Sequence, residues 1–478
     1  MKRFLLWSTL LPVMMIMAAC ESGGGDVEPV PEFEAPVINS CSVEDGAQNV
    51  SVELGRISLY ASAPVQVVNE SLFSLRSDGG KYVELNITTA NTNVHCSFGE
   101  LENNANYTFT VQPGAIAHAM DKTAVCQAKV EIHFSTPFKI PSQVDVNPDA
   151  TLTNPNASQR AKELYTYIRN ELFLGGYIAT GTMSKYTTKL DEAEWVYQQT
   201  GKYPAIHCFD LMNLTGKEWL EDYNDLLPNY RAWTEAGGIV AGMWHWRDPS
   251  KQTNAFYTSD CSFHHLGRII KKANGDGTYE YDTSSLEYQY IMKDIAEAKK
   301  KLQLLEDANI PVLWRPLHEA RGNKWGAWFW WGADGGEACK ALWMLLRREM
   351  ADLDNLIWVW NIQADGEVQA AQAWYPGADN VDMVGVDIYN EAPMRGSFAT
   401  EYRFAAAISG QRKVIVLSEC GAMPDVAAMA RDDVHWAYCM PWYGEHSQSD
   451  TYNGAAYWRR MHTGDFADSV IDRSEVNF

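Results

Sequence analysis

Val312-Leu313-Trp314-Arg315-Pro316-Leu317-His318-Glu319 is an apolar run stopped by a proline, and Lys413-Val414-Ile415-Val416-Leu417-Ser418-Glu419 repeats the layout a hundred positions later. Short runs of Val, Ile and Leu without a polar alternation read as strands buried on both faces, as in a parallel sheet. In (β/α)8 barrels the chemistry lies just past the C-terminal ends of such strands. Each run delivers a glutamate there, and two carboxylates so placed can divide the roles of proton donor and nucleophile.

Working outward, the pattern repeats. Apolar runs at 176–180, 203–209, 238–246, 311–316, 356–360, 383–386, 413–417 and 434–441 alternate with helix-like segments such as 290–308 and 337–352. This predicts an α/β chain whose residues 139–478 form a (β/α)8 TIM barrel with enlarged loops, Glu319 closing the fourth strand and Glu419 the seventh. An open doubly wound sheet is the competitor, but no GxGxxG or Walker-type loop follows the first run.

Residues 36–138 have a different texture. Ile57-Ser58-Leu59-Tyr60-Ala61, Val83-Glu84-Leu85-Asn86-Ile87 and Tyr107-Thr108-Phe109-Thr110-Val111 alternate in polarity between turns such as Asp78-Gly79-Gly80, which predicts a small all-β, Ig-like sandwich. It contains no tryptophan, so a rigid stalk is expected ahead of a carbohydrate-binding role. The stretch 103–111 resembles the Ig-like spacer modules of bacterial surface enzymes.

Residues 1–19 have the layout of a signal peptide. Lys2 and Arg3 precede an apolar stretch over 4–17, which is short for a membrane span. Met17-Ala18-Ala19-Cys20 then resembles the bacterial lipobox, so Cys20 is the expected site of lipidation, with 20–35 as a flexible tether. Glu21, Ser22 and Asp26 are similar to the export signal of surface lipoproteins of Bacteroidota. The resulting expectation is a lipid anchor in the outer membrane, facing the cell surface.

The 478 residues carry a net charge of −22, which repels phosphate backbones and excludes nucleic acid as the expected partner. Eight cysteines follow Cys20 without metal-type spacing. Neither a metal nor a cofactor is expected, and disulfide pairing stays open.

The string Arg315-Pro316-Leu317-His318-Glu319 with Trp328-Phe329-Trp330-Trp331-Gly332 resembles glycoside hydrolase family 26, the β-mannanases of the retaining barrel clan. Further matches are Gly201-Lys202-Tyr203-Pro204-Ala205, Trp244-His245-Trp246-Arg247-Asp248-Pro249, Asp387-Ile388-Tyr389 and Trp442. One feature departs from the family: Asn323-Lys324-Trp325-Gly326-Ala327 is inserted between the glutamate and the aromatic cluster. The resemblance implies that Glu319 is the general acid/base and Glu419 the nucleophile of a retaining endo-β-1,4-mannanase acting on mannan, glucomannan or galactomannan. It also implies that Tyr389 hydrogen-bonds the nucleophile and holds it charged, that His318 orients the acid or contacts sugar, and that His245 lines the −1 sugar site.

Indole faces stack on pyranose rings, and Trp328, Trp331 and Trp442 are the expected substrate contacts, with Trp343 and Trp358 expected in the core. Several alternatives stay open. The glutamates can be ordinary ion-pair partners. The same fold can act on β-1,3-1,4-glucan or β-1,3-xylan, or release mannobiose from a chain end. His207, His245 and His318 near strand ends suggest a metal-dependent barrel hydrolase, although the paired-histidine motif of such enzymes is absent from the first run. A non-catalytic glycan-binding protein is the last rival.

Overall fold

The computed structural model describes residues 33–478 apart from 79, 141–143, 145–149, 185–187, 324, 364–367, 390–393 and 411. Cys20, the expected signal peptide and most of the expected tether lie outside the described residues.

Each of the eight apolar runs overlaps a strand. They are β1 (Ile178–Met183), β2 (Ile206–Asp210), β3 (Ile239–Met243), β4 (Val312–Arg315), β5 (Leu356–Gln363), β6 (Met383–Ile388), β7 (Val414–Cys420) and β8 (Tyr438–Pro441). Neighbours in sequence pair in parallel, and β8 pairs with β1, so the sheet closes into a barrel. The strands are buried almost throughout, which is why they read as continuous apolar runs.

Helices cover the barrel. α1 (Leu286–Asp307) starts where the Ser285 side chain accepts from the Tyr288 amide, and α2 (Gly335–Glu349) ends on Arg347 and Arg348, cations that suit a helix C-terminus. Both extend a few residues earlier than the apolar periodicity suggested.

Two strand ends differ from expectation. β4 stops at Arg315, so Glu319 does not close it; Pro316 has no amide to donate, and the chain turns through Leu317 and Glu319 at φ of 55° and 49°. Glu419 lies inside β7, next to its last residue. The ladder with β6 steps from Val386↔Leu417 to Asp387↔Glu419, a bulge at Ser418 that re-aims side chains at the strand end. Gly385 makes this possible, because a Cβ there would lie 2.4 Å from the Ser418 hydroxyl.

The N-terminal part forms three antiparallel sheets, the larger two built on Arg56–Ala61 beside Asn93–Ser97 and on Asn106–Val111 beside Phe73–Ser77. Ile57, Leu59, Val94, Leu75 and Phe109 fill a hydrophobic core of its own, separate from the barrel's. The chain enters the barrel through Thr153, whose amide and hydroxyl both donate to Asp382 at 2.6 and 2.8 Å. Asp382 immediately precedes β6, so this junction lies at the end of the barrel opposite the two glutamates. All described cysteines are free thiols.

Candidate active site

Arg315, the last residue of β4, is 4% exposed and reaches across the barrel mouth. Its guanidinium donates to Asp387 Oδ2 at 2.6 Å and to Glu419 Oε2 at 2.7 Å. Burial works against its charge, but Asp387 and Glu419 outweigh that and keep it protonated. The other oxygen of Glu419 accepts from the Tyr389 hydroxyl. Tyr389 is 40% exposed overall, yet that hydroxyl is pushed well above the usual tyrosine range, first by burial and then by the adjacent Glu419.

Asn361, in β5, ties the strands together. Its Oδ1 accepts from the Glu319 amide at 2.7 Å, and its Nδ2 donates to Asp387 Oδ1 at 2.7 Å and to Ser418 Oγ at 2.8 Å. Ser418 in turn donates to Asp387 Oδ1 at 2.7 Å. The bulge in β7 is what lets Ser418 and Glu419 join one network, since successive strand residues otherwise face opposite ways.

Glu319 has weaker support. Its side chain accepts from the Trp328 indole at 2.8 Å, in a setting where it is 8% exposed. Burial raises its pKa well above the ordinary carboxyl range; Asp387 and Glu419 push in the same direction, and Arg315 and Trp328 offset only part of this. Burial and Glu419 also raise Asp387, to about 7. Carboxyl oxygens of Glu319, Asp387 and Glu419 lie within 4.8 Å of one another. A metal ion could suit such a cluster, but Arg315 already supplies the cation, bonded to two of the three carboxylates.

His245 and His318 form the adjoining wall. Asp210, at the end of β2, accepts from the His245 amide at 2.9 Å and faces His245 Nδ1 at 2.6 Å, and His245 Nε2 lies 3.1 Å from His318 Nε2. With His245 Nδ1–H donating to Asp210, His245 Nε2 accepts from His318 Nε2–H. That leaves His318 Nδ1 as an acceptor, and it is buried without a partner. Burial, His245 and Arg315 together hold His318 far below the usual histidine range, so it is neutral. His207 belongs elsewhere: Thr182, Ser184 and the Lys189 carbonyl satisfy it, so the three histidines do not converge.

Trp442 and Trp328 are partly open, and the Trp442 ring lies 5.3 Å from that of His245. Trp331 corrects the expectation of substrate contact. It is 0% exposed, stacks on Phe329 at 4.4 Å and donates to the His318 carbonyl, so it supports the wall from behind. Trp343 and Trp358 are buried, as expected of core residues.

Sequence reading assigned no role to Asp210, Asn361 or Ser418, and it quoted Arg315 and Asp387 only as parts of strings. The available signal was a polar residue ending an apolar strand, as in Ile206–Asp210. It was passed over because the second and fifth runs were cut at Phe209 and Trp360, one and three residues short of their strand ends.

The family model described as Glycosyl hydrolase family 26 matches residues 153–460. A mannan endo-1,4-beta-mannosidase of Thermothelomyces thermophilus is 31% identical over 329 residues, 66% of this chain and 62% of that protein. Mannan endo-1,4-beta-mannosidase A of a Piromyces species is 32% identical over 316 residues, 63% of this chain and 47% of that one. The chain thus spans about half to three-fifths of the length of these relatives. The crystal structure of a beta-mannanase from a symbiotic protist of the termite Reticulitermes speratus, complexed with gluco-manno-oligosaccharide, aligns with a TM-score of 0.60 at 30% identity, covering 70% of this chain and 99% of that one.

Proposed function

The chain belongs to glycosyl hydrolase family 26, and from that footing we propose that it is a retaining endo-β-1,4-mannanase acting on mannan, glucomannan or galactomannan. The observation that carries the mechanism is the separation of the two glutamates. One carboxyl oxygen of each lies within 4.8 Å of the other, an approach that suits double displacement, whose carboxyl groups are roughly 5–5.5 Å apart, better than the roughly 6.5–9.5 Å that leaves room for an attacking water. The mannan substrate is supported by the relatives, which are mannan endo-1,4-beta-mannosidases.

In this reading Glu419 attacks the anomeric carbon while Glu319, kept protonated by burial and the neighbouring carboxylates, donates to the departing oxygen. Arg315 and Tyr389 each hold one oxygen of Glu419, fixing its line of attack and favouring its negative charge. Forming the glycosyl-enzyme ester removes that charge. Glu319 then ionises more easily and serves as base for the incoming water. Purified protein incubated with linear mannan, lichenan and xylan tests the reading, with chromatography of the products and NMR of the first-formed anomer. Internal cleavage of mannan to β-configured ends is expected. An α-configured first product would overturn the mechanism, and turnover confined to lichenan or xylan would overturn the substrate.

We also propose that the protein is lipid-anchored through Cys20 in the outer membrane at the cell surface, a reading supported by Met17-Ala18-Ala19-Cys20 behind a basic and apolar leader. Among the described residues no helix is long and apolar enough to cross a membrane. Cys20→Ala is expected to leave the enzyme active but no longer sedimenting with membranes. Continued fractionation with outer membrane would refute the anchor.

A further inference from the structure

The turn that carries Glu319 is held at two main-chain points. Its His318 carbonyl accepts from the Trp331 indole at 2.9 Å, and its Glu319 amide donates to Asn361 Oδ1 at 2.7 Å. Leu317 and Glu319 are both left-handed, at φ 55° and 49°, a conformation that an L side chain resists unless its surroundings enforce it. The place of the acid therefore depends on these anchors.

The anchor at Asn361 is itself fixed from its far side. Asn361 is 3% exposed, and its Nδ2 donates to Asp387 Oδ1 at 2.7 Å and to Ser418 Oγ at 2.8 Å. Turning the amide over would set Oδ1 against the Asp387 oxygen and Nδ2 against the Glu319 N–H, acceptor against acceptor and donor against donor. One orientation survives. Loss of this side chain would be felt unequally, because Asp387 keeps Arg315 and Ser418 as donors while Glu419 keeps Arg315 and Tyr389. The Glu319 amide, by contrast, loses the acceptor that holds it, and a buried amide without its acceptor is costly. The effect falls on the acid rather than on the nucleophile.

We propose that Asn361 is a positioning residue for proton transfer: by holding the Glu319 amide it maintains the left-handed turn, which aims the Glu319 carboxyl at the Trp328 indole and keeps it within reach of Glu419. It touches no substrate and acts through Glu319 alone. The inference rests on the reading of Glu319 as acid/base and deepens it, since it names the side chain that sets that carboxyl's place.

The test compares the full-length enzyme with Asn361→Ala, Asn361→Asp and Glu319→Ala on linear mannan and on a dinitrophenyl β-mannobioside. In Asn361→Ala, kcat on mannan is expected to fall about 10- to 100-fold with KM within about twofold, a share of the roughly 10^2- to 10^4-fold that general acid–base catalysis supplies. The burst on the dinitrophenyl substrate, whose leaving group needs no proton, is expected to stay within about threefold of wild type, and azide is expected to speed the slow turnover that follows it. Protonated, the new carboxyl of Asn361→Asp accepts from the Glu319 amide and donates to Asp387 as the amide did; ionised, it is repelled by Asp387, Glu319 and Glu419, with Arg315 as the nearby cation. Its kcat relative to wild type at the same pH is therefore expected to rise as pH falls, and this series carries the test alone should Asn361→Ala fail to fold. Equal losses of burst and of mannan turnover, no response to azide, or an Asn361→Asp ratio flat with pH would make Asn361 a purely structural residue and overturn the inference. A burst and azide response in Glu319→Ala but not in Asn361→Ala removes this inference alone, whereas their absence in Glu319→Ala removes the acid/base reading, and this inference with it.

Discussion

Glu319 and Glu419 have the same side chain in two different surroundings. Glu419 sits within a strand with a guanidinium on one oxygen and a phenol on the other. Glu319 sits in a turn past the end of a strand, with one indole donor among the described residues and two carboxyl groups nearby. A site with one buried arginine and three acids cannot charge all of them cheaply, because repulsion between buried charges is strong at low dielectric. The proton therefore stays on the acid with the weakest donors. The contrast teaches that placing donors on one partner sets the protonation of the other.

The sharpest way to break this comparison is to remove the charged partner. Glu419→Ala is expected to lower kcat by roughly 10^5-fold on every substrate, as loss of a nucleophile does. If azide rescues this variant to an α-glycosyl azide and leaves Glu319→Ala inert, the two roles are reversed.

Glu319→Ala is expected to cost about 10^2- to 10^4-fold on polysaccharide but much less in the glycosylation of a dinitrophenyl glycoside, whose leaving group needs no proton. A burst followed by slow turnover, with azide restoring the rate and yielding β-glycosyl azide, would identify the missing base. The upward shift of Glu319 also gives the sign of a pH effect. Its protonated form is the active one, so kcat/KM falls as pH rises through its raised pKa. A basic limb that persists unchanged in Glu319→Gln would assign that limb to another group.

Tyr389→Phe removes one of the two donors to Glu419 and is expected to slow glycosylation about tenfold or more, in line with the loss of a hydrogen bond to a charged acceptor. A change confined to KM would give Tyr389 a sugar-binding role instead. The smallest effect is expected from removing everything before Val144. The chain joins the barrel at Thr153 and Asp382, at the end opposite the glutamates, and kcat on soluble mannan should stay within about twofold of the intact enzyme. A large loss would show that the N-terminal sheets complete the cleft.

Much of the fold was legible because a buried parallel strand writes itself as an uninterrupted apolar run, and all eight runs overlap a strand. Boundaries were less so. The first strand begins later than its run because the two glycines ahead of it, Gly175 and Gly176, form a turn, and the last because the chain leaves a short helix through Asp433 in a left-handed conformation. Trp331 was misread because sequence shows an aromatic beside the acid without showing which face neighbouring rings cover.

The sequence by itself determined the closed βα repeat and the two strands that lead to the glutamates, because both are set by local hydrophobic periodicity and by proline and glycine breaks. Only the tertiary structure decided the rest. Arg315 meets Asp387 and Glu419 across separations of 72 and 104 residues, and Asn361 meets the Glu319 amide and Ser418 across 42 and 57. Which acid keeps its proton, and which tryptophan faces open space, follow from burial and through-space charge, quantities that exist only once the barrel has closed.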